Sequence, residues 1–248
     1  MKQLTLDLAG PPRPTLDNFI TGANGEVLEH LKRLAARRAR EQCTFVWGRA
    51  GSGRSHLLRA TVAGLQQAGA SASYFACTGD TALERDLERM DCVALDDVDR
   101  LGAAGQAAAF ELFNALRDRG GMLLAAAAAP PAQLALREDL ATRLAWGLVF
   151  QVHALTDEAK ALALAEHAAS RGFRLAPEVC DFLLARARRD LPTLLATLDA
   201  LDRYSLETRR AVTVPLAREL LLAVESRGSG PFDGAQDRLA ARDLGGPG

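Results

Sequence analysis

Hydrophobic and polar positions alternate in two ways through the larger part of the chain. Five short apolar runs have the length of buried strands: Thr44–Trp47, Ser73–Ala76, Cys92–Leu95, Met122–Ala128 and Leu148–Val152. The segments around them have helical periodicity: Glu26–Glu41, His56–Ala68, Thr81–Arg89, Ala104–Arg119 and Pro131–Leu140. Strand and helix in alternation predict an α/β fold in which helices flank a five-stranded parallel sheet.

After residue 155 the pattern predicts helices alone. Thr156 is a typical N-cap, and helices are expected to run to Arg171, from Pro177 to about Ala187, from Leu191 to Glu207 and from Pro215 to Val224. We therefore expect a peptide and spacer over residues 1–14, an α/β domain over 15–154 and a small all-α domain over 155–225. The Gly-rich, charged residues 226–248 are expected to form a disordered tail.

The N-terminal peptide has its own short pattern. Leu4, Leu6 and Leu8 follow Gln3 and alternate with polar residues, and a proline-rich spacer at residues 11–14 separates them from the rest. This alternation is typical both of a peripheral edge strand and of an extended peptide that docks into a partner's apolar pocket. The spacing alone leaves both interpretations open.

Charge and cysteine content narrow the function classes. The chain has 30 Lys and Arg against 31 Asp and Glu, so no overall basic field attracts it to nucleic acid or to an anionic membrane. Any contact with DNA must be local or pass through a partner. The four cysteines are scattered, which is typical of reduced thiols, and no apolar stretch is long enough to span a bilayer. These features predict a cytoplasmic protein without a membrane partner.

The strongest motif lies directly after the first predicted strand. Residues 48–55 read GRAGSGRS and fit G-x-x-x-x-G-K-[ST], with Arg54 in the place of lysine. Glycines let backbone N–H groups wrap a phosphate, and the N-terminus of the following helix favours negative charge. An ordinary Gly-rich turn is the alternative. The residues predicted to bind nucleotide are Gly48, Gly51, Ser52, Gly53, Arg54, Ser55 and His56, with the Ser55 hydroxyl on magnesium. Arginine keeps the charge but not the compact ammonium, so hydrolysis is expected to suffer more than binding.

Two carboxylates follow the third predicted strand. Asp96 and Asp97 end the apolar run that begins at Cys92, and a parallel sheet would bring them beside the phosphate loop. We predict that Asp96 holds magnesium directly or through water, and that Asp97 polarises an attacking water. Without the phosphate loop, a helix cap or a solvated turn would be the better interpretation.

Two arginines are candidates for contacts with phosphate. Arg143 precedes the last predicted strand, where its side chain could project from the domain edge toward a neighbour's nucleotide. Arg189 begins the third helix of the small domain, where it could fold onto a phosphate held by this chain. Most surface arginines are merely solvated, so position alone decides neither case.

Together these segments resemble the ATPase core of the bacterial replication initiator DnaA, an AAA+ protein. The resemblance rests on the phosphate loop, LDDVD at residues 95–99, TRLAWG at 142–147 and RDLPTLLATLDALDRYS at 189–205. It is closer to the shorter Hda members of this family, which lack the initiator's DNA-binding domain, and it extends from Gln3 to about Val224. It implies an AAA+ P-loop core with a small helical lid domain.

The resemblance also implies partners and roles. Gln3, Leu4, Leu6 and Leu8 match the family's clamp-binding peptide, which docks on the sliding clamp, the beta subunit of DNA polymerase III. Arg143 matches the arginine finger that acts in trans on DnaA-bound ATP. The implied function is regulatory inactivation of DnaA, which prevents re-initiation, with DNA reached indirectly through the clamp.

The family's own ligand site is altered in this sequence. Arg189 matches the sensor that contacts the protein's own nucleotide, ADP or ATP with Mg2+, but Arg54 departs from the pattern. Residues 126–129 are all alanine, where the family has a polar strand end. The sequence therefore leaves open whether nucleotide binds. It also leaves open whether the protein forms a homo-oligomer and whether it has one of two other functions. These are an active DNA-remodelling or helicase-loading ATPase, and an adaptor without a catalytic contribution.

Overall fold

The computed structural model describes residues 13–38, 41–83, 85–186 and 191–225. The described chain forms two compact units, residues 13–155 and residues 156–225. The predicted N-terminal peptide, Arg189 and the tail lie outside the described residues. None of the helices in the described ranges is both long and apolar enough to cross a membrane.

The first unit is built on a five-stranded sheet, as the sequence predicts. The strands are β1 (Cys43–Trp47), β2 (Ala72–Ala76), β3 (Cys92–Asp96), β4 (Met122–Ala127) and β5 (Leu148–Gln151). Their order is β2-β3-β4-β1-β5, and every neighbouring pair is parallel. Because the strands are parallel, the phosphate loop after β1 and the carboxylates after β3 lie at the same edge of the sheet, with the end of β4 between them.

Helices cover both faces of this sheet. They are α1 (Gly25–Ala35), α2 (Arg54–Gln67), α3 (Ala103–Arg119) and α4 (Glu138–Ala145). Side chains alternate across each strand, so Phe45 enters the core beneath α3 and α4 while Val46 enters the core beneath α1 and α2. Burial on both faces explains why the strands read as continuous apolar runs.

The first predicted helix is shorter than the prediction. The pattern indicated Glu26–Glu41, but α1 ends at Ala35. Arg37 has φ +56°, and the backbone N–H of Arg38 donates to the Arg33 carbonyl at 2.8 Å. This is a Schellman turn, which usually takes glycine at the left-handed position. An arginine there gives no sequence signal for the helix end.

Two further helix predictions are wrong in part. Thr81–Arg89 was predicted as a helix, but the described residues form only a 3-10 turn at Arg85–Arg89. The Thr78 backbone N–H donates to the Thr81 hydroxyl at 2.6 Å, and such local bonds compete with helix formation.

The segment predicted as a helix over Pro131–Leu140 also divides. It forms a 3-10 turn at Pro131–Gln133, and α4 begins only at Glu138. The Arg137 backbone N–H donates instead to the Gln106 side chain on α3, at 2.9 Å. A long-range bond of this kind fixes where α4 starts, and sequence periodicity does not reveal it.

In the second unit, the described residues form helices joined by short loops and contain no strand. It contains α5 (Asp157–Ser170), α6 (Pro177–Arg186), α7 (Leu191–Thr208) and α8 (Val214–Glu225). Thr156 caps α5 as predicted, because its hydroxyl accepts from the Ala159 backbone N–H at 3.2 Å. Leu164, Leu183 and Leu198 are fully buried in a core that belongs to this unit alone.

Candidate functional site

The phosphate loop connects β1 to α2 and needs each of its glycines. Gly51 and Gly53 have φ +78° and +100°, in the left-handed region that glycine adopts without strain. A Cβ at Gly48 would lie 2.2 Å from the Val152 carbonyl oxygen, and one at Gly53 would lie 2.7 Å from the Phe19 ring. The loop is therefore packed between the end of β5 and the segment that precedes α1.

Two polar atoms in this loop are buried without a protein partner. The Ser52 hydroxyl and Nη1 of Arg54 have no hydrogen-bond partner among the described residues. Ser52 is 5% exposed and the Arg54 side chain 10% exposed. Buried polar atoms are nearly always satisfied, and both atoms lie at the N-terminus of α2, where an anion is favoured. This arrangement fits a phosphate group.

Arg54 also reaches the carboxylates after β3. Its Nη2 lies 3.2 Å from Oδ1 of Asp97, and Nε of Arg100 lies 3.6 Å from Oδ2 of the same side chain. Burial raises the pKa of Asp97, and the neighbouring Asp96 carboxylate adds to this, whereas Arg54 and Arg100 oppose it. The predicted meeting of loop and carboxylate is thus made directly, through an ion pair.

Asp96 is the more buried carboxylate, at 2% exposed. The Tyr74 hydroxyl donates to its Oδ2 at 2.7 Å, and the Asp97 backbone N–H donates to its Oδ1 at 3.1 Å. Burial raises the pKa of Tyr74, and the adjacent Asp96 raises it further. Sequence reasoning did not find Tyr74, because its role depends on the pairing of β2 with β3.

The remaining predicted nucleotide residues have different surroundings. Ser55 is the second residue of α2 and is half-buried. His56 donates from Nε2 to the Thr15 carbonyl at 2.9 Å, and its ring centroid lies 5.5 Å from that of Phe19. Burial lowers the pKa of His56. His56 thus holds the segment before α1 over the phosphate loop.

The end of β4 lies between the loop and the carboxylates. The Gly48 backbone N–H donates to the Ala127 carbonyl at 3.3 Å. Ala126 and Ala127 are fully buried, and their side chains are methyl groups. This strand end supplies packing, and its side chains have no polar atom to offer to a nucleotide.

The described residues contain no preformed cluster of metal-binding side chains. Among the described residues, no three His, Cys, Asp or Glu side chains converge on a common point. Ser55 and Asp96 are the predicted metal-site residues, and the Asp96 carboxylate already accepts hydrogen bonds from two protein donors, while Asp97, predicted to polarise water, is paired with Arg54. The chemistry of the loop fits a phosphate better than the carboxylates fit a cation.

Arg143 lies elsewhere, on the last turn of α4. Its guanidinium carbon is 4.0 Å from the Trp146 ring centroid and 5.8 Å from that of Phe110. Cation–π contacts hold the charge in place while the Trp146 ring remains 61% exposed.

These three side chains line an open cavity of about 720 Å³. Arg137, Glu138, Asp139 and Thr142 line the rest of it, and it shares no residue with the phosphate loop. The structure therefore separates Arg143 from the site that holds Arg54 and Asp97. Arg189 and the peptide residues Gln3, Leu4, Leu6 and Leu8 lie outside the described residues.

Comparison with solved structures identifies the fold. Domain III of the replication initiation protein DnaA from Thermotoga maritima matches with a TM-score of 0.69 and 22% identity, over 86% of this chain and 97% of that one. AMPPCP-bound DnaA from Aquifex aeolicus matches with 0.64 and 21%, over 86% and 73%. The RuvB branch migration motor of Thermotoga maritima matches with 0.61 and 14%, over 85% and 72%. At these identities the likeness establishes an AAA+ fold.

Family models go further than the fold. The model of the bacterial DnaA ATPase domain matches residues 11–151, which is more than half of the 248 residues. The model of the Hda lid domain matches residues 157–221. Both matches agree with the resemblance drawn from the phosphate loop, the carboxylate pair, TRLAWG at residues 142–147 and the helical segment at residues 189–205. The chain therefore belongs to the family of the bacterial DnaA ATPase domain, and its second unit is a lid domain of the Hda type.

Proposed function

We propose that this protein inactivates DnaA by stimulating hydrolysis of DnaA-bound ATP. Membership of the DnaA ATPase-domain family and the Hda-type lid support a DnaA-related regulator of replication. AAA+ domains pair their nucleotide site with an arginine from a neighbour, so two related domains are suited to form a joint site. On this proposal the protein supplies the arginine and DnaA supplies the ATP.

The setting of Arg143 carries the proposal. The side chain is half-buried between the Phe110 and Trp146 rings, at the wall of an open cavity. It is held in position and still accessible to a phosphate that a partner brings. An arginine supplied in trans stabilises charge on the transferred phosphoryl group, and such fingers accelerate hydrolysis by about 10³ to 10⁵.

The protein's own loop supports a regulator over a working ATPase. Asp97, the predicted water-polarising residue, is paired with Arg54 and Arg100. The adjoining end of β4 carries only the methyl groups of Ala126 and Ala127. We propose that the loop holds ADP or ATP, with Arg189 as a second contact, and turns it over poorly.

Delivery is the role proposed for the N-terminal peptide. Gln3, Leu4, Leu6 and Leu8 would bind the sliding clamp and so bring the protein to replicated DNA. A net charge of −1 agrees with contact to DNA through a partner, because the protein has no overall basic field of its own.

The test is ATP turnover by DnaA in the presence of this protein and clamp-loaded DNA. Arg143→Ala is expected to lower the stimulated rate by about 10²-fold or more, because the charge on the transferred phosphoryl group loses its partner. Arg119→Ala is the matched control, since Arg119 is an exposed arginine at the end of α3. It should stimulate like the unmodified protein.

The other functions predict different outcomes. If the protein is an adaptor without a catalytic contribution, the Arg143→Ala variant should stimulate ATP hydrolysis as well as the unmodified protein does. A remodelling ATPase would turn over ATP by itself, without DnaA, and would lose that turnover when Asp97 is changed to Asn. If the unmodified protein gives no stimulation with the clamp present, the proposal is wrong. If stimulation is the same without the clamp, the N-terminal peptide does not have the proposed delivery role.

A further inference from the structure

We propose that Arg54 lets the phosphate loop hold a nucleoside diphosphate without a divalent cation. The inference rests on the proposed binding of nucleotide to this loop and adds the role of the arginine that replaces lysine. It also differs from the sequence-based expectation, in which magnesium accompanies the nucleotide. The positive charge that a magnesium ion would bring to the phosphates is instead provided by the Arg54 guanidinium.

The geometry of Arg54 carries the first step. Nη2 donates to Asp97 at 3.2 Å, while Nη1 is buried and has no partner among the described residues. A guanidinium is planar and distributes five donors over two edges, so one nitrogen can keep the carboxylate while the other donates to a phosphate oxygen. An ammonium has three donors on one nitrogen, so it can bond both groups only where the carboxylate and the phosphate approach the same point.

The unpartnered Ser52 hydroxyl supports the same occupant. Its residue is 5% exposed, and Oγ lies 2.9 Å from the position of a Cβ on Gly48, at the mouth of the loop. Two buried donors without acceptors at the N-terminus of a 14-residue helix form an anion site. The Arg54 nitrogen can only donate and the Ser52 hydroxyl can donate, so an acceptor such as a phosphate oxygen satisfies both atoms, whereas a cation could satisfy the hydroxyl alone.

The charges around the carboxylates carry the second step. Asp97 lies between the guanidinium groups of Arg54 and Arg100, and Asp96 accepts a hydrogen bond on each of its oxygens. The two positive side chains therefore offset part of the negative charge of Asp96, Asp97 and the nearby Asp99, at the place where the sequence predicts a magnesium ion. The electrostatic attraction for a divalent ion is reduced there, and the carboxylate oxygens that would hold its water molecules are engaged by protein donors.

A nucleotide held in this way is expected to stay intact. Asp97 cannot orient an attacking water while its oxygens face two guanidinium groups, and no cation bridges the phosphates. The diphosphate then serves as a structural ligand of the loop. This agrees with a protein that acts on the nucleotide of DnaA and preserves its own.

The experiment measures ADP binding by isothermal titration calorimetry, in excess EDTA and again in excess Mg2+. For the unmodified protein the two dissociation constants are expected to agree within about threefold, because the arginine already supplies the charge. Arg54→Lys is expected to bind ADP at least about tenfold more weakly in EDTA, and Mg2+ should restore most of the loss. In each solution, the protein that binds ADP more tightly should show the larger ADP-induced rise in melting temperature.

Arg49→Lys is the matched control, because Arg49 lies in the same loop and is exposed. It should bind like the unmodified protein in EDTA and in Mg2+. The inference is wrong if Mg2+ tightens ADP binding to the unmodified protein by about tenfold or more, or if Arg54→Lys binds as well as the unmodified protein in EDTA. No binding in either solution would remove the nucleotide from this loop altogether, and stimulation of DnaA through Arg143 would remain to be judged by its own assay.

Discussion

Asp96 shows how much of the site depends on single residues. It is almost completely buried at the end of β3, and the chain satisfies its carboxylate with one side-chain and one backbone donor. A buried carboxylate without donors is far more costly than an exposed one, so these two bonds offset part of the cost of burying Asp96. Tyr74 is thus a positioning residue for the carboxylate pair.

Replacement of Tyr74 by phenylalanine tests this role. The variant keeps the ring beneath Arg59, whose guanidinium carbon lies 4.7 Å from its centroid, and removes only the hydroxyl that donates to Asp96. We expect the free energy of unfolding to fall by about 1–3 kcal/mol, because a buried acceptor loses its donor. Urea unfolding followed by tryptophan fluorescence reports this unit, since Trp47 and Trp146 both lie in residues 13–155.

Tyr204→Phe provides the comparison for the same chemical change. The Tyr204 hydroxyl donates to Glu219, but this bond is exposed to solvent, and the half-buried Tyr204 ring packs on the core of the second unit. The tryptophan transition should therefore stay where it is in the unmodified protein. A Tyr74→Phe variant that is equally unaffected would show that Asp96 does not depend on the tyrosine.

The elements differ in how far the sequence predicts them. Each strand was predicted to within one residue at both ends, because apolar runs covered on both faces stand out from their polar surroundings. Helices whose ends depend on long-range bonds were predicted less well. The start of α4 depends on the Gln106 side chain, and the end of α1 depends on a left-handed arginine. Neither feature has a periodic signal.

The end of α1 offers a prediction at the level of the element. Arg37→Gly should raise the free energy of unfolding by about 0.5–1 kcal/mol, because glycine removes the cost of a left-handed Cβ and loses only part of that gain as chain entropy. The ion pair that Arg37 makes with Asp91, at 3.9 Å, is half exposed and contributes little. The measurement is the tryptophan transition in urea.

Arg38→Gly is the control for this change. Arg38 is also exposed and follows directly in the chain, and it is not among the residues with positive φ. It should bring no gain in stability. If Arg37→Gly destabilises the protein as well, the left-handed turn is not the feature that limits this helix end.

For the whole molecule, the sequence predicted the division into an α/β part and a helical part from the change of pattern near residue 155. The family followed from motifs that are local in the chain, and the parallel sheet followed from the alternation of strand and helix patterns. The ion pair between Arg54 and Asp97 did not, because it joins residues 43 positions apart whose distance depends on strand order. The sequence shows which residue types are present, whereas the pairing of two distant side chains depends on how the sheet is packed.

The separate cores lead to a prediction about unfolding. Leu198 is fully buried in the core of the helical unit, and Leu124 is fully buried in a core of the α/β unit. Leu198→Ala should cost about 2–5 kcal/mol within the helical unit, because it leaves a cavity there. In urea, far-ultraviolet circular dichroism should then show an early partial transition, while the tryptophan transition stays unchanged.

Leu124→Ala should have the opposite effect, moving the tryptophan transition to lower urea. If Leu198→Ala moves both signals together, the two cores unfold as one, and the lid is not an independent unit of stability.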